Sequence, residues 1–516
     1  MKAATLNGTV RTAAQTAVLM AILTLCSKLL GFIREMIIAN YFGASYIVDA
    51  YVMSTALPGI LFGGVFAAVA TAYMPLYSKI NEEQGEVNSN RFTSEVINLL
   101  ILVSVFASII GIIFSDQLVS IFASGFTGET AKLTSFFVKV TFSYTLLSSV
   151  ASIIDSYLQY KGVFLSQIIA GYAQNIMVII AIIISAYSSY YYLAFGMLLG
   201  TGCRLIYVIL VAKKKNLKYS LTFKVNGAVK NIAMLAVPVF IGSSMQQVST
   251  FVDKTLASGL VEGSVSALNY AMLLVTMITG LTTGIFTTIV YPKLTKANSL
   301  EDYERLNSIV SKGMTLVLMV AIPFSLGAIL YRSQVVQVVY ERGAFDSSAT
   351  ALTSSAFAFY AVGLVFMAVN DLLTRTYYSM HDMKLPMIFA GISVTIDIVL
   401  NLILVRSMAH NGLALATSIG FMSNTVLLLS GLRIKYPKIR VVESYKELIR
   451  IVTAAVTAVG ISWLFYYFVI LPLSYIIAAR VLQLGMTVAL AAAVYFVLLK
   501  LFKIEEINLI KQLIKR

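Results

Sequence analysis

Residues 165–176 read Leu-Ser-Gln-Ile-Ile-Ala-Gly-Tyr-Ala-Gln-Asn-Ile, and residues 385–396 read Leu-Pro-Met-Ile-Phe-Ala-Gly-Ile-Ser-Val-Thr-Ile. At an offset of 220 residues, with no gap, Leu165, Ile168, Ala170, Gly171 and Ile176 fall on Leu385, Ile388, Ala390, Gly391 and Ile396. The register continues, because Leu193, Ala194 and Gly200 fall on Leu413, Ala414 and Gly420. Chance can align residues this abundant, but the same offset also superposes two blocks of six apolar runs. Six is even, so the second block enters a membrane from the same side as the first. The expected architecture is two parallel lobes about an axis along the membrane normal, a design that holds a substrate between the lobes.

The surrounding composition agrees with a bilayer as solvent. Of 516 residues 59% are hydrophobic and 12% charged, with 8 Pro and one Trp. Together with a mean hydropathy of +0.86, this excludes ordinary soluble, disordered and collagenous chains. A bilayer core about 30 Å thick takes roughly 20 apolar residues per helix. Reading on that length gives six runs near Ala14 to Ala39, Val48 to Tyr77, Val96 to Phe114, Leu133 to Tyr160, Phe164 to Ala186 and Tyr192 to Ala212. Six more cover Ile232 to Leu256, Ser266 to Val290, Met314 to Leu330, Ala351 to Leu373, Met387 to Val405 and Leu413 to Leu432, and a last pair covers Ile451 to Leu471 and Tyr475 to Leu501. The fold class is therefore all-α, with fourteen membrane spans. The expected division is an N-lobe over 1–215, a C-lobe with its basic connector over 216–440, and a tail pair over 441–516. The first run is too long and too charged at its end for a cleaved signal peptide and reads as a retained helix.

Lys and Arg near span ends resist translocation, so the loops set orientation. The connector holding Lys213, Lys214, Lys215, Lys218, Lys224 and Lys230, and that holding Arg433, Lys435, Lys438, Arg440, Lys446 and Arg450, are expected to be cytoplasmic. Lys79, Arg91, Lys161, Lys293, Lys296, Arg375 and Lys384 fall on the same side, and both termini follow. The exception is Arg332 to Asp346, an outer stretch whose two arginines are matched by Glu341 and Asp346. Most of the net charge of +15 then reports topology, with no nucleic acid required. Cys26 and Cys203 lie inside apolar runs and are expected to be free, packed thiols.

An ionised side chain at mid-bilayer costs several kcal/mol, so each one inside a run is a candidate functional group. They are Arg34, Glu35, Asp49, Lys139, Asp155, Asp253, Lys254, Asp371, Arg375 and Asp397. Asp49, Asp155, Asp371 and Arg375 lie near span ends, where snorkelling or a structural ion pair is the alternative. Lys28 and Arg34 lie on opposite flanks of a regular helix. A bend near Gly31 would turn both toward one cavity and form a receptor for a multiply charged anion such as phosphate. The alternative is that Arg34 pairs with Glu35 or Asp49 and neutralises the helix end. Asp397 and Asn401 share a helix face, and Asp253 and Thr417 add oxygens. This set suits a small hard cation such as sodium, proton-linked hydrogen bonding, or a structural polar cluster. His381 and His410 are expected on opposite sides of the membrane, so they assemble no metal cluster or triad. The connectors are too short for an ATP-binding domain, so energy is expected from an ion gradient, the membrane potential or substrate supply.

Residues 27–35 (Ser-Lys-Leu-Leu-Gly-Phe-Ile-Arg-Glu), 41–44 (Tyr-Phe-Gly-Ala) leading to Asp49-Ala50-Tyr51, and 341–346 (Glu-Arg-Gly-Ala-Phe-Asp) resemble the MurJ (MviN) lipid II flippase family, within the multidrug/oligosaccharidyl-lipid/polysaccharide exporter superfamily. Tyr377-Tyr378-Ser379 to Lys384-Leu385-Pro386 and 412–417 are also similar, so the resemblance spans essentially the whole chain. It implies a non-enzymatic flippase of the bacterial cytoplasmic membrane, acting as a monomer beside cell-wall synthesis enzymes and membrane lipids. Its substrate would be an undecaprenyl-diphosphate-linked precursor, with a cationic cavity and a tail groove on the last two helices. Residue by residue it implies substrate contacts at Ser27, Lys28, Arg34, Glu35 and Asp49; beyond the resemblance, Lys254 or Lys139 is this chain's own candidate to replace positive field where family arginines are lost. Two family arginines fall on Phe62 and Leu273 and are missing. The family's sodium ligands match Asp253, Asp397, Asn401, Thr417 and the Leu413 carbonyl, with acid and amide exchanged on the eleventh run. No other cofactor is implied.

The nearest alternatives are a flippase for capsule or O-unit lipids and a cation-coupled drug exporter. A membrane glycosyltransferase would need a carboxylate on a large outer loop, and the outer loops are short. A channel or scaffold does not account for acids and bases spread over both lobes.

Overall fold

The computed structural model describes residues 2–221, 227–285, 302–439, 445–473 and 479–504, with Leu294 and Ala297. Lys224, Lys293, Lys296, Arg440 and the run ends Val290 and Tyr475 lie outside the described residues. Among the described residues the regular structure is all helical. In chain order the α-helices are α1 (Lys2–Phe42), α2 (Tyr46–Ile113), α3 (Ser115–Phe122), α4 (Gly128–Tyr160), α5 (Leu165–Tyr187), α6 (Leu193–Lys214), α7 (Gly227–Ser258) and α8 (Ser264–Ile285). They continue as α9 (Tyr303–Leu330), α10 (Arg332–Val339), α11 (Ser347–Ser379), α12 (Lys384–Met408), α13 (His410–Lys435), α14 (Tyr445–Phe465) and α15 (Arg480–Leu501). A π-helical turn, Tyr466–Ile470, extends α14. Ten of the described helices are long and apolar enough to cross a membrane. In hydrocarbon every backbone N–H and C=O must be satisfied within the segment, which is why apolar runs of this length resolve as helices.

Helix α2 counts once but carries two of the expected spans. Its 68 residues would reach roughly 100 Å if straight, about three bilayer cores. Gly85 divides it with φ 81° and ψ 175°, a conformation that costs an L side chain and costs glycine little. The second and third expected runs lie on either side of this glycine. Where α2 returns against α4, small polar residues take the contact: Ser104 Oγ donates to Ser149 Oγ at 2.8 Å and Ser108 Oγ to the Phe142 carbonyl at 2.9 Å. Small side chains allow close helix approach in lipid, where burial from water no longer drives association. A Cβ on Gly111 would lie 2.0 Å from the Phe142 ring, so that crossing requires glycine.

By packing, the chain forms two compact units, Met1–Ser266 and Ala267–Arg516. Helix α7, placed first in the C-lobe by the sequence blocks, packs on α2 and α3 within the first unit. The tail helices α14 and α15 pack on α9 and α10 in the second unit, through Met319, Ile451, Ala454, Leu499 and Ile504. The core of the first unit gathers Tyr73, Tyr77, Phe92 and Tyr157. The Tyr73 and Phe92 rings stack at 5.8 Å, and the Tyr73 and Thr93 hydroxyls hydrogen-bond at 2.7 Å. Glycine also opens two later helix crossings, α5 with α6 and α12 with α13. A Cβ on Gly200 would meet Gln174 O at 2.9 Å and Val178 at 3.1 Å, while one on Gly420 would meet Asp397 Cβ at 3.2 Å and Ser393 O at 3.6 Å.

Three sequence expectations change. Cys26 is exposed, on the same face as Ile22, Leu29 and Ile33, so its thiol is free but not packed. Glu341 is not matched with Arg332 or Arg342: its Oε1 accepts from Arg480 at 2.8 Å, and Arg342 caps the end of α10 through the Val338 and Val339 carbonyls. The charge tally balanced the loop, but Arg480 was too distant in sequence to be paired by counting. His410 is not in a loop. It is the first residue of α13, 7% exposed, with Nε2 3.1 Å from Ser355 Oγ.

The turn between α11 and α12 is held by Asp382, whose carboxylate accepts from Lys435 Nζ at 2.7 Å, Tyr436 OH at 3.0 Å and the Leu385 N–H at 3.3 Å. Burial alone would raise its pKa, but the Lys435 hydrogen bond, then Leu385 and Tyr436, outweigh it and hold the carboxyl below its ordinary value. A carboxyl depressed in the folded state stabilises above its unfolded pKa of about 4, and that stability is lost as pH falls through the folded value. Thermal midpoints in detergent are expected to fall below about pH 4 more steeply for the native chain than for Asp382→Asn; parallel curves would refute this assignment.

Candidate functional site

Helix α1 runs unbroken through Gly31, so no break in the helix separates Lys28 from Arg34. Six residues at 100° each leave their side chains about 120° apart. Lys28 is exposed, next to the outward stripe of Ile22, Leu25, Leu29 and Ile33. Ser27, Gly31 and Arg34 form the opposite stripe at i, i+4, i+7 and face α5. A Cβ on Gly171 would lie 3.3 Å from Ser27 Oγ, and one on Gly31 would lie 3.9 Å from Asn175 Oδ1. Tyr172 OH donates to the Leu23 carbonyl at 2.8 Å. Small residues draw these helices close, and their polar groups meet at the seam.

Arg34 closes that seam. Its Nη2 and Nε donate to Glu35 Oε1 at 2.6 and 3.2 Å, and its Nη1 donates to Asn175 Oδ1 at 3.1 Å. Arg34 retains 24% side-chain exposure against 10% for Glu35, so the arginine is the more accessible member. Lys254, half-buried on α7, lies in the field of Asp253, Asp49 and Glu35. The first unit therefore gathers Arg34, Glu35, Asp49, Asp253 and Lys254, two cations against three carboxylates, while Ser27 serves the α5 contact and Lys28 and Lys139 are exposed elsewhere. Phe62 has become part of an apolar cluster, with its ring 6.3 Å from Phe142 and 6.4 Å from Phe66.

Asp49 is 3% exposed and acts on backbone. Its Oδ2 accepts from the Gly263 N–H at 2.8 Å and its Oδ1 from the Ser266 N–H at 2.7 Å, the first turn of α8. Those donors have no intrahelical partner, and a carboxylate there also meets the positive end of the helix dipole. Beside it, Glu262 Oε1 accepts from the Tyr46 N–H at 3.0 Å, in a polar cleft lined by Thr127 and Ser258.

In the second unit, Asp397 and Asn401 are 5% and 0% exposed on α12, with Asn401 Nδ2 3.4 Å from Asp397 Oδ1. Thr417 Oγ1 donates to the Leu413 carbonyl at 3.1 Å on α13, which leaves the hydroxyl lone pairs available. The side chain missing at Gly420 lets α13 approach Asp397. Carboxylate, amide, hydroxyl and carbonyl oxygens are the donor types that a small hard cation such as sodium takes. Asp253 stands on α7 in the first unit. Asp371 and Arg375 pair along α11 at 3.3 Å.

Arg204 was not singled out from the sequence, although it lies inside the sixth apolar run and meets the same criterion as the ten that were. Its Nη2 donates to Asp155 Oδ2 at 2.5 Å. Asn175, the neutral partner of Arg34, carries no comparable signal in sequence.

The ten described apolar helices long enough to cross a bilayer make this a multi-pass membrane protein. A solved inward-facing multidrug MATE transporter aligns with a TM-score of 0.67 over 80% of this chain and 98% of its own, at 14% identity, a likeness of fold alone. The chain belongs to the MurJ lipid II flippase family: the profile described as lipid II flippase MurJ matches residues 38–481. A probable lipid II flippase MurJ of Rickettsia prowazekii is 26% identical over 493 residues, covering 93% of this chain and 96% of the relative. That of Burkholderia cenocepacia is 25% identical over 421 residues, 80% and 82%. A solved lipid II flippase MurJ in an inward closed conformation aligns with a TM-score of 0.79 at 25% identity, covering 94% of this chain and 98% of its own.

Removing the Asp49 carboxylate strands two buried N–H groups. Asp49→Ala is expected to cost about 1–2 kcal/mol and Asp49→Asn less, read as thermal midpoints in detergent; equal midpoints for all three proteins would remove the capping role.

Proposed function

We propose that this protein is a flippase that moves the lipid-linked peptidoglycan precursor, lipid II, from the inner to the outer leaflet of the bacterial cytoplasmic membrane by alternating access. The observation that carries the reading is the partly exposed Arg34 side chain on the face of α1 that meets α5, in a chain matched by that family over most of its length. Glu35 and Asn175 occupy the arginine now. An incoming diphosphate takes it by displacing the Glu35 carboxylate, a charge-assisted exchange in a low-dielectric setting. Lys254 adds positive field, and the prenyl tail remains in lipid. No covalent step is required, so the protein acts as a transporter and not an enzyme. The basic connectors support cytoplasmic termini, and the chain is taken to work as a monomer beside cell-wall synthesis enzymes.

Sodium is the proposed coupling ion, held in the second unit by Asp397, Asn401, Thr417 and the Leu413 carbonyl. A role for Asp253 as a further ligand rests on the family resemblance. Binding one lobe state more tightly than the other is what would let the ion drive transport, and the membrane potential can act on the charged groups of the empty carrier.

In proteoliposomes loaded with defined precursor, Arg34→Glu is expected to abolish transport while membrane insertion and yield stay native; full transport by that variant would sink the role of Arg34. Added sodium is expected to raise the thermal midpoint of the native protein and leave Asp397→Ala unchanged; a sodium response that survives in Asp397→Ala would remove the ion site.

A further inference from the structure

The first unit contains a second guanidinium that the preceding reading does not use. On α6, Leu199, Ile206 and Leu210 form the exposed stripe, at 54%, 60% and 55%. Arg204 lies on the other side of the helix, in line with the buried Gly200, Thr201, Val208 and Ala212, so it points into the bundle. Even so its side chain is 33% exposed, while that of its partner Asp155 is 8% exposed. The Arg204 side chain is thus the more accessible member of the pair.

The pair is incompletely bonded. Arg204 reaches Asp155 Oδ2 through Nη2 alone, and its Nη1 lies 3.5 Å from Gln174 Oε1, the outer limit of a hydrogen bond. Arg204 Nε and Asp155 Oδ1 are buried with no hydrogen-bond partner among the described residues. A pair kept for stability alone would be expected to satisfy both members, because buried charges repay their desolvation only with good geometry and full bonding. Nor does the fold require it. At the 220-residue offset Asp155 and Arg204 fall on Arg375 and Asn424, and Arg375 bonds along its own helix to Asp371. The repeat keeps polar residues at these positions but not the ion pair.

Helix α5 links this pair to the first. Asn175 receives Arg34 at 3.1 Å and its neighbour Gln174 receives Arg204. Adjacent residues on a helix point about 100° apart, so one amide serves α1 and the next serves α6. We propose that Arg204 is a second anion-binding position, which takes an oxyanion of the lipid-linked substrate in exchange for the Asp155 carboxylate. This rests on the flippase reading. The oxyanion is either a phosphate of the diphosphate or a carboxylate of the headgroup, and Asp155 acts as a competitor that returns to Arg204 when the substrate leaves.

The test measures binding of undecaprenyl diphosphate and of the complete precursor to the purified full chain. Arg204→Gln alone would leave a buried carboxylate unpaired, so it is combined with Asp155→Asn, and thermal midpoint and yield serve as the folding check. The double variant is expected to bind at least one of the two ligands about tenfold more weakly, the size of a lost charge-assisted hydrogen bond. Asp155→Asn alone is expected to bind more tightly than the native chain, since the competitor has gone. Loss toward both ligands assigns the phosphate, and loss toward the complete precursor only assigns the headgroup carboxylate. Native affinity in a folded double variant, or weaker binding by Asp155→Asn alone, would overturn the proposal. If the native chain binds undecaprenyl diphosphate but does not move the precursor, the flippase reading fails while the Arg204 assignment is still decided by the variants. If it binds neither, both fall.

Discussion

Arg34 cannot enter a hydrocarbon core alone. A guanidinium stays charged at any physiological pH, so its cost inside a membrane must be met by partners that travel with it. Here Glu35 is adjacent in sequence and Asn175 comes from α5. The second partner ties α1 to α5, where Gly171 also lies close against Ser27. The same constraint governs α4 and α6, where Asp155 meets Arg204. The polar groups of the first unit are therefore organised by what each arginine requires.

Those requirements also bear on transport. A cation fully bonded in a buried site is a structural element, whereas one that is a quarter to a third exposed, with a carboxylate as its main partner, can exchange that carboxylate for another anion. Arg34 and Arg204 both have this character, at 24% and 33% exposure. Asp49 does not, since both of its oxygens bond the N–H groups that open α8. Three residues that share a charged, apolar setting in sequence thus have different work: two are candidates for exchange and one is a helix cap.

Much of the fold was legible in the sequence because a bilayer imposes few solutions. Apolar length fixes a span, so the helices could be read from runs of consecutive residues. The candidate site was legible in part. The rule that charge inside a run is informative found Arg34, Glu35, Asp253, Lys254 and Asp397, yet its application missed Arg204. Asn175 was beyond that rule altogether, since a neutral amide carries no such signal. Helix α1 is not broken at Gly31, which faces Asn175 of α5.

The sequence by itself determined that the chain is a multi-pass helical membrane protein, and the residues that resemble the family pointed to a lipid flippase, because span length and local motifs are properties of consecutive residues. Only the tertiary structure decided which charges meet. Lys28 and Arg34 diverge, Glu341 finds Arg480, Asp49 caps α8, and Gln174 and Asn175 stand between two arginines. Such pairings join residues dozens to hundreds of positions apart, and they depend on which faces of two helices touch, a geometry that periodicity along one chain does not encode.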